Sequence, residues 1–228
     1  MNIKDKTIGL LERRITKTAL VLATRSWAAN SFYEVDLHVP DADFDRPGVK
    51  YMKCRVNQLT YRDYTIAMWD VETKTCTLFV DAAHSGPGSE WVKNLKKNDV
   101  MSYLNVESHR YNNPDNKKLL MLGDQSSVGH FLALQQLAEP GAHIEGAIVI
   151  TRAAHRTEFN AYYPDLNLHT LSAEDGSTQA LARWLEYHGI DNDMVFLAGN
   201  VHMVTALRQQ LRVMGYSSKQ IDAQGFWR

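Results

Sequence analysis

The rhythm of hydrophobic and polar positions changes once along this chain of 228 residues. In the first half the period is short. Residues 33–39 read Tyr-Glu-Val-Asp-Leu-His-Val, an alternation that puts one face of a strand in a core and the other in water. Residues 19–22, 51–56, 64–69 and 76–80 give further short runs of strand type, and Pro47-Gly48 supplies a turn among them. Short strands at this spacing predict a small antiparallel barrel. One short helix is predicted over residues 89–95, behind Gly86-Pro87-Gly88.

The polar stretch Tyr111-Asn112-Asn113-Pro114-Asp115-Asn116 reads as a linker. After it, strand patterns at 119–122, 147–150, 166–171 and 194–198 alternate with helix patterns at 126–138, 178–187 and 201–214. In the last helix Val204, Leu207, Leu211 and Met214 share one face, Arg208, Gln209 and Arg212 occupy the other, and Gly215 stops it. Alternating strands and helices predict a parallel, doubly wound sheet. The expected fold is therefore an N-terminal antiparallel β-barrel, residues 1–110, followed by an α/β nucleotide-binding-like domain, residues 117–228.

Composition narrows the function. Hydrophobic residues make up 44% and charged residues 22%, so the chain can bury a core and is not disordered. A formal net charge of -1 provides no field that would attract nucleic acid or a membrane surface. Cys54 and Cys76 lack CxxC spacing, which argues against a disulfide scaffold or a zinc site and suits a reducing cytoplasm. The start of the chain, with Lys4, Lys6, Glu12, Arg13 and Arg14, lacks the apolar centre of a signal peptide. No apolar run reaches the roughly 18 residues of a membrane span. A cytoplasmic monomer or weak oligomer is expected. The histidines show no metal-ligand spacing, so no metal site is expected. There is no Gly-x-Ser-x-Gly elbow and no Gly-Lys-Ser/Thr phosphate loop, which removes the usual signs of a hydrolase or ATPase.

Five short segments can carry chemistry. Arg62-Asp63-Tyr64-Thr65 opens a strand: the guanidinium can fork onto a pyrophosphate, and Tyr64, two residues on, lies on the same face and can meet a flat ring. Gly86-Pro87-Gly88-Ser89-Glu90-Trp91 allows close backbone approach at a helix start, where free amides favour a phosphate; it is equally a plain turn with Ser89 as helix cap. Gly123-Asp124-Gln125-Ser126-Ser127 and Ala198-Gly199-Asn200 both follow strands of the sheet, where such folds bind ligands or simply cap helices. Gly225-Phe226-Trp227-Arg228 offers an aromatic that covers a flat cofactor or packs the last strand.

The order of these segments resembles the siderophore-interacting proteins, the ferric-siderophore reductase branch of the ferredoxin reductase superfamily. The likeness runs from about Thr18 to Arg228. It rests on Arg62, Tyr64 and Thr65, then Gly86, Pro87, Ser89 and Trp91, then Gly123, Asp124 and Ser126, then Ala198-Gly199, then Gly225, Phe226, Trp227 and Arg228. The resemblance implies FAD held by Arg62, Asp63, Tyr64, Thr65, Val80, His84, Gly86, Pro87, Gly88, Ser89 and Trp227. It implies a reductant at Gly123, Asp124, Ser126, Ser127, Gly199 and Asn200, with NAD(P)H or a ferredoxin as donor, and a ferric siderophore as acceptor. No catalytic residue and no metal ligand is implied. The chain departs from the family pattern at Ile66-Ala67, where a second Arg is usual, and at Ala82, with His84 displaced. It departs again at Leu104 to Ser108, which lack a glycine turn, and at Asn200, which stands for a Glu. Those departures keep open a non-catalytic ferric-siderophore-binding module, or a flavin reductase with another small acceptor. Arg152 and Arg156, just after a strand, are either contacts for the 2′-phosphate of NADPH or surface charges.

Overall fold

The computed structural model of the chain describes residues 16–110, 118–188, 191 and 193–227. The charged N-terminal stretch, the 111–116 linker and Arg228 lie outside the described residues. The chain divides into two compact units, Met1–Arg110 and Tyr111–Arg228.

Six strands form the first unit: β1 (Lys17–Ser26), β2 (Phe32–His38), β3 (Val49–Asn57), β4 (Thr60–Asp70), β5 (Thr75–Asp81) and β6 (Val100–His109). They close into an antiparallel barrel in the order β1-β2-β5-β4-β3-β6. Closure leaves no sheet edge to cap. Val21, Val35, Leu37, Met52, Cys54, Ile66, Leu78 and Tyr103 are buried, as period-two alternation requires. Helix α1 (Pro87–Asn94) follows β5 and starts two residues earlier than the sequence predicts, because Pro87 fits the first turn, where no amide partner is needed.

Strand β6 was not anticipated, and its register explains why. Met52 pairs with Val106 while Cys54 pairs with Tyr103, so two steps on β3 face three on β6. The extra residue flips the alternation. Met101 and Tyr103 are buried, yet Asn105 and Glu107, at the same parity, are exposed. No single period spans the strand.

The second unit is a five-stranded parallel sheet: β7 (Lys118–Asp124), β8 (His143–Val149), β9 (Leu168–Leu171), β10 (Met194–Asn200) and β11 (Ile221–Trp227). The order is β11-β10-β7-β8-β9. Helices α2 (Val128–Leu137), α3 (Ala153–Tyr162), α4 (Ser177–Tyr187) and α5 (Val201–Val213) connect the strands in turn. On one face Leu120, Leu122, Val195 and Leu197 pack against Leu181, Trp184 and Leu185 of α4 and Met203, Val204, Leu207 and Leu211 of α5. Helix α3 was also not anticipated. Only His155 and Phe159 of its ten residues are buried, and one of that pair is polar, so its apolar face is a single i, i+4 contact. No described helix is long and apolar enough to cross a membrane.

The winding runs outward from β7 to β8 and β9, then crosses back to β10 on the other side of β7. The carboxyl ends of β7 and β10 therefore flank the point where strand order reverses, and at that point open α/β sheets leave a crevice.

Candidate functional site

In the barrel unit, β4 and the start of α1 meet. A Cβ placed on Gly88 would lie 2.6 Å from the Tyr64 hydroxyl and 3.9 Å from Cγ of Arg62, so both side chains crowd the glycine turn from one face. The register agrees, because Arg62 and Tyr64 stand opposite Cys54 and Met52. The Tyr64 ring stacks on Trp91 of α1, with centroids 5.6 Å apart and planes at 18°. Burial pushes the Tyr64 hydroxyl well above the ordinary phenol range, so it stays a neutral donor. Arg62 is exposed and gives one N–H to the Tyr61 carbonyl at 2.8 Å. Among the described residues its remaining donors have no partner, which leaves them open to an anion.

Ser89 is 2% exposed, and its hydroxyl has no hydrogen-bond partner among the described residues. A buried hydroxyl left unpaired is costly, by about 1–3 kcal/mol. Beside it, a Cβ on Gly86 would meet nothing within 4 Å. Open space before the turn, an unpaired hydroxyl behind it and the amides of a helix start are features that suit an anion.

The other barrel candidates fall differently. Asp63 faces away from Arg62 and pairs with Lys53 at 3.5 Å. Thr65 is half-buried opposite Tyr51. Val80 is a core residue opposite Tyr33, and His84 is exposed ahead of Pro87.

In the sheet unit, every candidate gathers at the switch point. The Asp124 carboxylate, 7% exposed, binds the two strand ends together. Its Oδ1 accepts from the Ser126 amide at 3.0 Å and the Ser126 hydroxyl at 2.5 Å, and its Oδ2 accepts from the Asn200 amide at 2.8 Å. Gly199, at φ +128°, makes room: a Cβ there would stand 2.5 Å from Asp124 Oδ2. Gly123 is equally pinned, since a Cβ there would collide with the Ser127 hydroxyl and with the Ala198 carbonyl oxygen. Ser127 is fully buried and donates to the Asp124 carbonyl at 2.6 Å, so its hydroxyl does not face the crevice. Asn200 Oδ1 caps α5 through the amides of His202 and Met203.

One pairing here was invisible to sequence reasoning. Gln125 Oε1 lies 3.0 Å from Nδ1 of the fully buried His155, joining the mouth to α3. No spacing signal announces a pair of this kind. Arg156 donates to the carbonyls of Ile150 at 2.7 Å and Thr151 at 3.0 Å, whereas Arg152 is exposed at the start of α3 and makes no side-chain cap.

Residues 116–228 match the siderophore-interacting protein family. Through its second domain the chain belongs to that family. No curated protein matches the sequence. Among solved structures, the fold is similar to a siderophore-interacting protein from Acinetobacter baumannii, with a TM-score of 0.77 and 16% identity over 93% of this chain and 90% of that one. It is similar to a siderophore utilization protein from T. fusca, with a TM-score of 0.73 and 19% identity over 93% and 92%. It is similar also to a ferredoxin NADP+ reductase from Neisseria gonorrhoeae with bound FAD and NADP, with a TM-score of 0.72 and 16% identity over 93% and 99%. The chain thus has the ferredoxin reductase-like fold, barrel first and parallel sheet second.

Proposed function

We propose that the chain is a flavin-dependent oxidoreductase that takes electrons from NAD(P)H or a ferredoxin and delivers them to a ferric siderophore in the cytoplasm. The observation that carries this reading is the buried, unpaired Ser89 hydroxyl behind the Gly86–Gly88 turn, with Arg62 and Tyr64 beside it. FAD, when bound, supplies the redox chemistry. Arg62 forks onto its pyrophosphate, and the Ser89 hydroxyl and the amides of Gly88 and Ser89 donate to phosphate oxygens. Tyr64 and Thr65 orient the ring system, Val80 and His84 line the approach, and Trp227 offers a second aromatic face. Each Fe(III) of the substrate takes one electron, and Fe(II), with less charge, is held less tightly by hard oxygen ligands.

The Ser126 and Ser127 hydroxyl protons are both given to Asp124, so neither is available to a nicotinamide. Slow use of NAD(P)H, or a protein donor, follows from this, and stopped-flow reduction by NADH and NADPH measures it. A ferric-siderophore-binding module without turnover is the second reading that the same observation favours.

Titration of flavin-free protein with FAD, followed by flavin fluorescence, tests the main reading. Wild-type protein saturates, and Arg62→Ala weakens binding roughly 10- to 150-fold, the worth of one charge-assisted bond of about 1.5–3 kcal/mol. Reduced protein then yields Fe(II) to a ferrous-specific chelator when given catecholate or hydroxamate complexes. Absence of saturable FAD binding overturns the proposal in favour of the binding module.

A further inference from the structure

We propose that Gln125 is the side chain through which the carboxyl end of β7 recognises a dinucleotide, and that the buried His155 is the positioning residue that aims it. The idea rests on the NAD(P)H reading of the preceding section, and its residues all belong to the sheet unit.

Open α/β sheets bind ligands at the carboxyl ends of their strands. Four side chains follow Gly123 at the end of β7, and only one has a hydrogen-bond donor left. Asp124 accepts from the Ser126 amide and hydroxyl and from the Asn200 amide. The Ser126 proton goes to Asp124 Oδ1, and its oxygen accepts from the Trp227 indole at 3.2 Å. The Ser127 proton goes to the Asp124 carbonyl. Gln125 differs. Its Oε1 is taken by Nδ1 of His155 at 3.0 Å, and its NH2 has no partner among the described residues. The residue is half-buried, and its NH2 is not sealed from solvent as the orphaned Ser89 hydroxyl is. Two N–H donors are therefore open at this edge of the sheet.

The other end of the bond is equally informative. A carbonyl oxygen only accepts, so Nδ1 of His155 carries a proton and donates. His155 is fully buried in the first turn of α3, a helix that buries only one other residue, Phe159. Burying a polar ring costs stability unless its nitrogens are bonded, so an apolar side chain would serve better here if packing were the only task. The turn that carries His155 is itself fastened, because Arg156 donates to the carbonyls of Ile150 at 2.7 Å and Thr151 at 3.0 Å. A carboxamide is planar, so a hold on its oxygen sets the direction of both N–H bonds. A glutamine without that hold loses the order and must regain it on binding.

A pair of N–H donors suits an acceptor oxygen, either of a pyrophosphate or of the nicotinamide carboxamide. Both occur in one dinucleotide, and two ligands tell them apart. NADP+ carries both groups, whereas 2′-phospho-ADP-ribose keeps the phosphates and lacks the nicotinamide.

Calorimetric titration of the full chain with each ligand provides the test. Gln125→Ala is expected to weaken NADP+ about fivefold, the worth of one neutral hydrogen bond. His155→Leu should weaken it equally, and His155→Asn, which keeps a donor near the place of Nδ1, should restore it. In the Gln125→Ala background His155→Leu should have no further effect, because it acts only through Gln125. Gln125→Glu separates recognition from mere support. Its carboxylate still accepts from His155, so a supporting role leaves affinity at the wild-type value, whereas loss of the donors weakens NADP+ at least as much as Gln125→Ala does. Equal weakening of both ligands assigns the contact to a phosphate, and weakening of NADP+ alone assigns it to the carboxamide. Wild-type affinity in Gln125→Glu, or a wild-type chain that binds neither ligand, overturns the proposal. Additive losses in the double variant overturn the role of His155. Failure of FAD to bind, read by flavin fluorescence, overturns the proposed function instead and leaves these titrations to decide the Gln125 contact.

Discussion

The Asp124 clasp can be broken without removing a single heavy atom. In Asp124→Asn the amide keeps the shape of the carboxylate but offers one acceptor where there were two. If its oxygen stays toward the Ser126 amide and hydroxyl, its NH2 faces the Asn200 N–H, which now approaches to 2.8 Å, donor against donor. If the amide flips, two bonds are lost rather than one. The better orientation forfeits one charge-assisted bond, leaves a part-buried N–H unpaired and weakens the two that remain, about 3 kcal/mol in total. For a chain of this size that lowers the unfolding midpoint by about 6–12 °C. Thermal and urea unfolding followed by far-UV circular dichroism provides the measurement. Ser126→Ala, which removes only one of the three bonds, should cost about 1 kcal/mol, and the double variant should cost less than the sum because both changes break the same contact. Gly199→Ala drives a methyl into the carboxylate at a left-handed backbone position and should reproduce the Asp124→Asn defect. If Asp124→Asn lies within about 0.5 kcal/mol of the wild type, the surface-substitution range, the clasp does not hold the strand ends and the reasoning fails.

Three further outcomes follow from the structure. Gly88→Ala places a methyl 2.6 Å from the Tyr64 hydroxyl, and because that ring is stacked on Trp91 it cannot simply swing aside; FAD affinity, read by flavin fluorescence, should fall at least about tenfold. Burial lowers His130 from 6.5 to about 4, so the unfolded chain takes up a proton that the folded one refuses: stability present above pH 6.5 is lost as pH falls toward 4, by up to about 3 kcal/mol, and His130→Gln should flatten that part of the pH profile in urea unfolding. Arg156→Ala should lower stability by about 1–2 kcal/mol through the carbonyls of Ile150 and Thr151 while leaving the ratio of NADPH to NADH use unchanged; a changed ratio would show that its guanidinium serves a 2′-phosphate instead.

Most of the fold was legible because most elements keep one period from end to end. Of residues 33–39, which alternate in the sequence, 33–38 lie in β2, and the Val204, Leu207 and Leu211 face of α5 is the face that packs on the sheet. The exceptions share a physical cause. β6 changes phase at its bulge, so its ten residues look like two fragments of opposite sense. α3 buries too little to write a stripe. Candidate residues at strand ends were legible as positions but not as roles. Glycines and serines after a parallel strand mark the carboxyl edge of the sheet, yet whether a hydroxyl faces a ligand or its own backbone depends on partners many positions away. Ser126, Ser127 and Asp124 look alike in the sequence; in the fold Ser127 is wholly internal, while Ser126 accepts from an indole. Ser89 is the reverse case: its reading as a simple helix cap would have paired its hydroxyl, and the structure leaves that hydroxyl without a described partner.

The bonds that shape the mouth of the sheet are among its least local. Asp124 reaches Asn200 across 76 positions, and Trp227 reaches Ser126 across 101. Contacts of such separation carry a larger loop-closure cost than local ones, because more of the intervening chain must surrender its freedom. A partly folded chain with β7, β8 and β9 assembled already has a hydrophobic sheet, but it lacks β10 and the clasp. The crevice thus requires β10 and β11 to be docked on β7. A ligand that recognises it selects finished molecules from unfinished ones, and its binding shifts the population away from intermediates whose exposed β7 edge would invite aggregation.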